Sequence, residues 1–69
     1  MTNKFAERLK ELRQERNLTQ MQLSKETGLS QTGIGNWEAG QRTPNIDVLI
    51  VFARYFNVST DFLCGLTDQ

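Results

Sequence analysis

The sequence predicts an all-α protein, a compact bundle of five short helices. Apolar residues recur at intervals of three and four, the spacing that places side chains on one helix face. Residues that favour helix starts, Thr19, Ser30, Asn45 and Ser59, precede four of the apolar stretches. Glycine or asparagine follows each stretch, and both residue types commonly end helices.

The first helix is predicted over residues 4–16. Its inner face carries the apolar residues Phe5, Leu9 and Leu12. Asn3 is a candidate N-cap because its side-chain oxygen can accept a hydrogen bond from a free amide of the first turn. Asn17 is the expected stop, since asparagine adopts left-handed backbone angles more readily than most residues.

The second helix is predicted to begin at Thr19. Thr19 and Gln22 have the spacing of a capping box, in which each side chain bonds to the backbone amide of the other residue. Met21 and Leu23 are its expected apolar positions. Gly28 is expected to end it, because glycine takes a positive φ without steric cost.

The third helix is predicted over 30–39, with Ser30 as its cap. Ile34 and Trp37 are three residues apart and are expected to share the inner face. Gly33 and Gly35 lie inside the helix, where each costs about 1 kcal/mol relative to alanine. This helix is therefore intrinsically weak and depends on its neighbours.

Two further helices follow a loop over 41–44. The fourth, over 46–56, is apolar nearly all round, which predicts a central position in the bundle. The fifth begins at its cap Ser59 and contains the apolar residues Phe62 and Leu63. The domain is expected to occupy residues 1–66, leaving 67–69 as a tail or the start of a linker.

Composition argues against an enzyme, a metalloprotein and a membrane protein. The 69 residues include no histidine and a single cysteine, Cys64, so neither a zinc site nor an internal disulfide is expected. No nucleophile stands beside an evident base, and no glycine-rich phosphate loop is present. We expect no cofactor and no small-molecule ligand. Without a signal-peptide pattern or an apolar run of about 20 residues, a cytoplasmic location is expected.

The net charge is zero, with eight Lys and Arg against eight Asp and Glu. Its distribution is uneven, because residues 1–18 carry five Lys or Arg against three Glu, whereas residues 44–69 carry one Arg against three Asp. The neutral chain can therefore present a mildly positive side. Total charge alone does not exclude an anionic partner.

Residues 20–39 predict a helix-turn-helix unit. The stretch 27–30 is a tight turn of the kind that sets two helices at a steep angle. Ser24 is small enough to let the helices approach closely, and Gly28 supplies the positive φ of the turn. The apolar wedge expected to fix the angle consists of Leu23, Leu29, Ile34 and Trp37.

Three segments of this unit resemble the lambda repressor/Cro-like (XRE) family. They are Gln20-Met21-Gln22-Leu23-Ser24, Gly28-Leu29-Ser30 and Ile34-Gly35-Asn36-Trp37-Glu38-Ala39-Gly40. Pro44 and the ending Val58-Ser59-Thr60-Asp61-Phe62-Leu63 are also similar, so the resemblance covers essentially the whole chain. The sequence departs from the family at Ser24, where alanine is usual, and at the less usual Gly33 and Gly35.

The resemblance implies that the third helix lies in the major groove of DNA while the second crosses the phosphate backbone. With Ile34 and Trp37 facing inward, a helical wheel directs Thr32 and Asn36 outward, and Gln31 lies at the exposed N-terminal end of the helix. The expected base contacts are therefore Gln31, Thr32 and Asn36. The expected phosphate contacts are Thr19, Gln20, Gln41 and Arg42. The resemblance also implies a structural ion pair between Arg13 and Glu38.

The implied function is sequence-specific binding of double-stranded DNA by a bacterial or phage-encoded transcriptional regulator, with repression favoured. A homodimer through the fourth and fifth helices is expected, because Val48, Val51 and Tyr55 leave an apolar stripe near Leu63 and Leu66. Such a dimer would suit a palindromic operator. The alternative is a protein-interaction module, antitoxin-like or otherwise partner-binding, for which DNA binding is secondary. The zero net charge would suit that alternative.

Overall fold

A computed structural model of the chain describes residues 4–68. These residues form five α-helices and no β-strand, which confirms the predicted all-α fold. The helices are α1 (Phe5–Glu15), α2 (Gln20–Thr27), α3 (Gln31–Glu38), α4 (Ile46–Phe56) and α5 (Thr60–Cys64). Within residues 4–68, no helix is both long and apolar enough to cross a bilayer.

Side chains cap four of the helices at their N-termini. Thr19 and Gln22 form the predicted capping box: the threonine Oγ1 accepts from the Gln22 amide at 3.0 Å, and the glutamine Oε1 accepts from the Thr19 amide at 2.8 Å. The side-chain oxygens of Ser30, Asn45 and Ser59 likewise each accept a hydrogen bond from the backbone amide three residues later. The N-cap of α1 is Lys4, whose side chain makes no capping bond, and Asn3 lies outside the described residues.

Left-handed residues follow all five helices, and Gly40 after α3 has a φ of +74°. Asn17 and Asn57 both have a φ of +56°, and Gly28 has a φ of +76°. Gly65, with a φ of +80°, also lacks space for a side chain, because a Cβ there would lie 2.8 Å from the Lys4 Cβ. The end of α5 therefore lies directly against the start of α1.

The core is centred on Phe52 of α4, which is fully buried. The Trp37 ring meets it edge-on at a centroid distance of 5.8 Å, and the Phe5 and Phe56 rings lie 6.1 and 6.2 Å away. The other buried apolar residues are Leu9, Leu23, Ile34 and Leu63. The predicted central position of α4 is confirmed.

The two apolar residues expected in α2 differ in burial. Met21 is 51% exposed, whereas Leu23 is fully buried. Residues two apart on a helix are separated by about 200°, so these two side chains face opposite sides. Leu63, expected near a dimer surface, is fully buried in the core. It cannot contribute to an interface.

Arg8 of α1 holds the chain that follows α5. Its guanidinium lies 4.1 Å from the centroid of the Phe62 ring. Its Nη1 donates to the carbonyl oxygens of Phe62 at 3.2 Å and Thr67 at 3.1 Å, and its Nη2 lies 3.3 Å from an Asp68 carboxylate oxygen. Residues 67 and 68, predicted to lie in a tail, thus contact α1. Gln69 lies outside the described residues.

Candidate nucleic-acid interface

The turn between α2 and α3 is closed by backbone and hydroxyl hydrogen bonds. The Gly28 amide donates to the Ser24 carbonyl at 2.8 Å, and the Ser24 Oγ donates to the Leu29 carbonyl at 2.5 Å. The Thr27 Oγ1 donates to the Leu23 carbonyl at 2.8 Å and accepts from the Leu29 amide at 3.3 Å. Ser24 was expected only to be small. Its hydroxyl also satisfies a turn carbonyl, which the alanine usual in the resembling family cannot do.

The predicted apolar wedge fixes α2 and α3 to each other. Leu23 and Ile34 are fully buried, and Leu29 and Trp37 pack against the same core. Because Ile34 and Trp37 are both directed into the bundle, the opposite face of α3 is directed outward. The short helix is therefore held by its neighbours despite its two internal glycines.

The outer face of α3 carries the three expected base-contacting residues. Gln31 and Thr32 are exposed and Asn36 is half-buried. Within the described part of the chain, their side chains make no hydrogen bond to protein. Two carboxamides and a hydroxyl, each able to donate and accept, are thus free on one helix face. This arrangement can bind a ligand that presents its own donors and acceptors.

The expected phosphate contacts lie at both ends of the same unit. The Thr19 hydroxyl caps α2, and Gln20 is the first residue of that helix. The Gln20 Nε2 donates to the Glu38 Oε1 at 3.1 Å, so this side chain lies against α3. Gln41 and Arg42 follow α3 and are exposed. The structure thereby brings Gln20 close to the C-terminal end of α3, the same end from which the loop with Gln41 and Arg42 continues.

A bidentate ion pair joins Arg13 of α1 to Glu38 at the end of α3. The Arg13 Nε lies 2.7 Å from the Glu38 Oε2, and its Nη2 lies 2.9 Å from Oε1. The Arg13 Nη1 donates to the Leu18 carbonyl at 2.7 Å. Only 12% of the arginine side chain and 4% of the glutamate side chain are exposed. The hydrogen bond with Glu38 raises the pKa of Arg13 above its ordinary value and outweighs the lowering by burial, so the guanidinium stays charged.

The two glycines of α3 are expected to respond differently to substitution by alanine. At Gly35, an added Cβ would lie 3.5 Å from the Gln20 Oε1, an ordinary contact, so G35A should stabilise the protein by about 1 kcal/mol. At Gly33, a Cβ would lie 3.1 Å from a ring carbon of Trp37, whose ring is held against Phe52. G33A should therefore gain less than G35A or destabilise the protein. Urea unfolding of both variants tests this, and equal stabilisation would contradict the Trp37 packing.

The helix-turn-helix family model (HTH_3) matches residues 9–63 of this chain. Among curated relatives, the uncharacterized HTH-type transcriptional regulator YobD of Bacillus subtilis (strain 168) is 38% identical over 65 residues, 94% of this chain and 58% of that protein. The HTH-type transcriptional activator BcrR of Enterococcus faecalis is 41% identical over 59 residues, 86% of this chain and 29% of that protein. The cryptic phage CTXphi transcriptional repressor RstR of Vibrio cholerae is 37% identical over 68 residues, 96% of this chain and 61% of that protein. The chain thus spans between about three tenths and three fifths of the length of these relatives.

Two solved structures share the fold. A transcriptional regulator from Listeria innocua superposes with a TM-score of 0.86 at 29% identity, covering all of this chain and 64% of that one. The restriction-modification controller protein C.AhdI from Aeromonas hydrophila superposes with a TM-score of 0.78 at 32% identity, covering 87% of this chain and 91% of that one. The turn geometry, the matched residues and these relatives agree, and the chain belongs to the lambda repressor/Cro-like (XRE-type) helix-turn-helix family.

Proposed function

We propose that this chain binds specific sites in double-stranded DNA through α3 and regulates transcription, without catalysing a reaction. The observation that carries the proposal is the outer face of α3, where Gln31, Thr32 and Asn36 have no protein partner within residues 4–68. The family supports it, since the relatives named above are transcriptional regulators of bacteria and a phage. A regulator of this kind acts on DNA in the bacterial cytoplasm.

The chemistry of base recognition follows from these three side chains. The major groove admits an α-helix, and a carboxamide can donate to and accept from the edge of adenine at the same time. Gln31 and Asn36 each carry such a group, and the methyl of Thr32 can pack on a thymine methyl. Ile34 and Trp37 pack the opposite face of α3 against the core, so the backbone positions of Gln31, Thr32 and Asn36 keep a fixed spacing.

Phosphate contacts at the ends of the unit would set the register of α3 on the duplex. Thr19 and Gln20 lie at the N-terminus of α2, where free amides and the helix dipole favour an anion. Arg42 supplies a cation in the loop after α3, beside Gln41. With few cations near α3, binding should depend on salt less steeply than for a strongly basic protein.

Substituting Asn36 or Gln31 with alanine is expected to relax the base preference at one position of the selected site. Each substitution should lower affinity for that site by about 1–3 kcal/mol, since it removes a bidentate base contact. Binding to scrambled DNA should change little. Fluorescence anisotropy on selected and single-base-substituted duplexes measures both effects. Gln14→Ala, an exposed glutamine on α1, is the matched control, and base contact is refuted if Gln14→Ala and Asn36→Ala behave alike.

We further propose a homodimer through the outer surface of α4 and the segment after α5. Ile46 and Ile50 lie four residues apart on α4 and are 70% and 40% exposed, and Leu66 is 78% exposed. Val48 and Tyr55, by contrast, pack against the core of their own chain. A second copy bound to these exposed residues would place two copies of α3 on paired half-sites, as a palindromic operator requires.

Ile50→Glu is expected to convert the proposed dimer to a monomer and to weaken binding to a palindromic site, because two charges would be buried in the interface. Sedimentation velocity at several protein concentrations measures the change. Met21→Glu, which replaces an exposed apolar residue on α2, should leave the oligomeric state unchanged. A wild-type protein that stays monomeric even on its DNA site is incompatible with the dimer.

Repression is the proposed mode, because a protein bound across a promoter blocks it without further contacts. RstR is named a repressor and BcrR an activator, so the family includes both outcomes. The protein-interaction alternative, which the zero net charge had suggested, has no support from the named relatives. We do not propose it.

A further inference from the structure

One buried carboxylate connects three helices. The Glu38 Oε1 accepts from the Arg13 Nη2 at 2.9 Å and from the Gln20 Nε2 at 3.1 Å. Its other oxygen accepts from the Arg13 Nε at 2.7 Å. The Glu38 side chain, only 4% exposed, therefore bonds at once to the scaffold helix α1 and to the first residue of α2.

The carboxamide of Gln20 is confined on a second side by α3. Its Oε1 lies 3.5 Å from the position that a Cβ on Gly35 would occupy. The carboxamide thus lies between the Glu38 carboxylate and the Gly35 backbone. An unrestrained glutamine side chain samples many rotamers, and ordering it costs up to about 2 kcal/mol of conformational entropy. Here the hydrogen bond to Glu38 restrains the Gln20 side chain in the folded protein.

We propose that Glu38 is a positioning residue for DNA binding, in addition to being a partner in the ion pair. By accepting one Nε2 hydrogen of Gln20, it directs the other toward a phosphate of the DNA backbone beside α3. The inference rests on the proposed function and specifies how one phosphate contact is prepared. The acceptor at position 38 then affects affinity as well as folding, because it holds the carboxamide of Gln20.

Two neutral backgrounds separate this positioning role from a purely structural one. In Arg13→Met/Glu38→Gln, no charge is stranded and the carboxamide at 38 can still accept from Gln20. In Arg13→Met/Glu38→Met, no charge is stranded either, but the acceptor is gone. Gln20→Ala is then introduced into the wild type and both backgrounds. Affinity for the selected duplex is measured at a temperature where thermal unfolding shows every variant to be folded.

The loss of DNA affinity caused by Gln20→Ala should depend on whether the side chain at position 38 can accept a hydrogen bond. Gln20→Ala should weaken binding about tenfold in the wild type and in the Glu38→Gln background, the effect of one hydrogen bond to a charged group. It should weaken binding less than twofold in the Glu38→Met background, where the side chain is no longer held. Equal losses in both backgrounds would show that Glu38 acts through stability alone and would overturn the inference. A wild type without a preferred duplex would instead refute the proposed function, and this inference with it.

A measurement on the wild-type protein complements the variants and does not depend on their folding. The ¹⁵N relaxation of the Gln20 side-chain amide should report a rigid group, whereas that of the exposed Gln14 should report a mobile one. If the two amides are equally mobile, Glu38 does not position Gln20 and the proposal is wrong.

Discussion

Glu38→Ala is expected to lower the free energy of unfolding by about 3–5 kcal/mol, because the Arg13 guanidinium is left buried without its carboxylate. Arg13 is only 12% exposed in its side chain, so water cannot replace the lost partner fully. A domain of this size rarely has more than about 3–5 kcal/mol of stability from its core. The variant should therefore be largely unfolded at room temperature, as circular dichroism in a urea titration will show.

Arg13→Met/Glu38→Met is the control for this first prediction. With both charges removed, no ion is stranded, and the double variant should recover most of the lost stability. Recovery would show that the cost of Glu38→Ala comes from an unpaired charge. If the double variant is as unstable as Glu38→Ala, the pair contributes net stability in some other way, and the explanation fails.

Phe52→Ala is expected to destabilise the protein by about 3–5 kcal/mol, because it removes a fully buried ring from the centre of the core. The rings of Phe5, Trp37 and Phe56 all lie within 6.2 Å of Phe52, centroid to centroid. The resulting cavity would border α1, α3 and α4 together, so the small domain cannot close it locally. Thermal unfolding should show no cooperative transition above room temperature.

Arg54→Ala is the matched control for Phe52→Ala. Arg54 is on the same helix but exposed, so its truncation should change stability by less than about 0.5 kcal/mol. If both substitutions destabilise the protein equally, α4 does not bury Phe52 as described, and the packing of the core around it is wrong.

The helices and their ends were predictable because their signals are local. A cap such as Ser30 bonds to an amide three residues away, and a stop such as Gly28 depends on its own backbone angles. Both signals can be read from a few neighbouring letters of sequence. The different burial of Met21 and Leu23 has an equally local cause, because residues two apart on a helix face opposite sides.

The contacts between distant residues were not predictable in the same way. Arg8 bonds to the carbonyl of Phe62, 54 positions away, and Arg16 bonds to the carbonyls of Tyr55 and Phe56. Such contacts depend on how the helices dock, which the spacing of apolar residues does not specify. Family resemblance supplied the pairing of Arg13 with Glu38.

Some features of the candidate site were likewise predictable from neighbouring residues, whereas others depend on contacts between residues far apart in the sequence. The directions of Thr32 and Asn36 follow from helix geometry once Ile34 and Trp37 are placed inside, and the exposure of Gln31 follows from its position at the start of the helix. The bond from Gln20 to Glu38 joins two helices, and no signal in the sequence indicated it. That bond forms only when α2 and α3 dock against each other. Gly33 and Trp37, by contrast, lie four residues apart on α3, so the approach of the Trp37 ring to Gly33 is a local contact that helix spacing indicates.

Selection from random duplex DNA, followed by a salt titration of the selected site against scrambled DNA, tests the central claim most directly. We expect an enriched, approximately palindromic motif with half-sites about one helical turn (~34 Å) apart. Binding to scrambled DNA should be weaker and should be lost at lower salt. An absence of enrichment, with only weak binding that disappears at moderate salt, would contradict the account that α3 reads a DNA sequence.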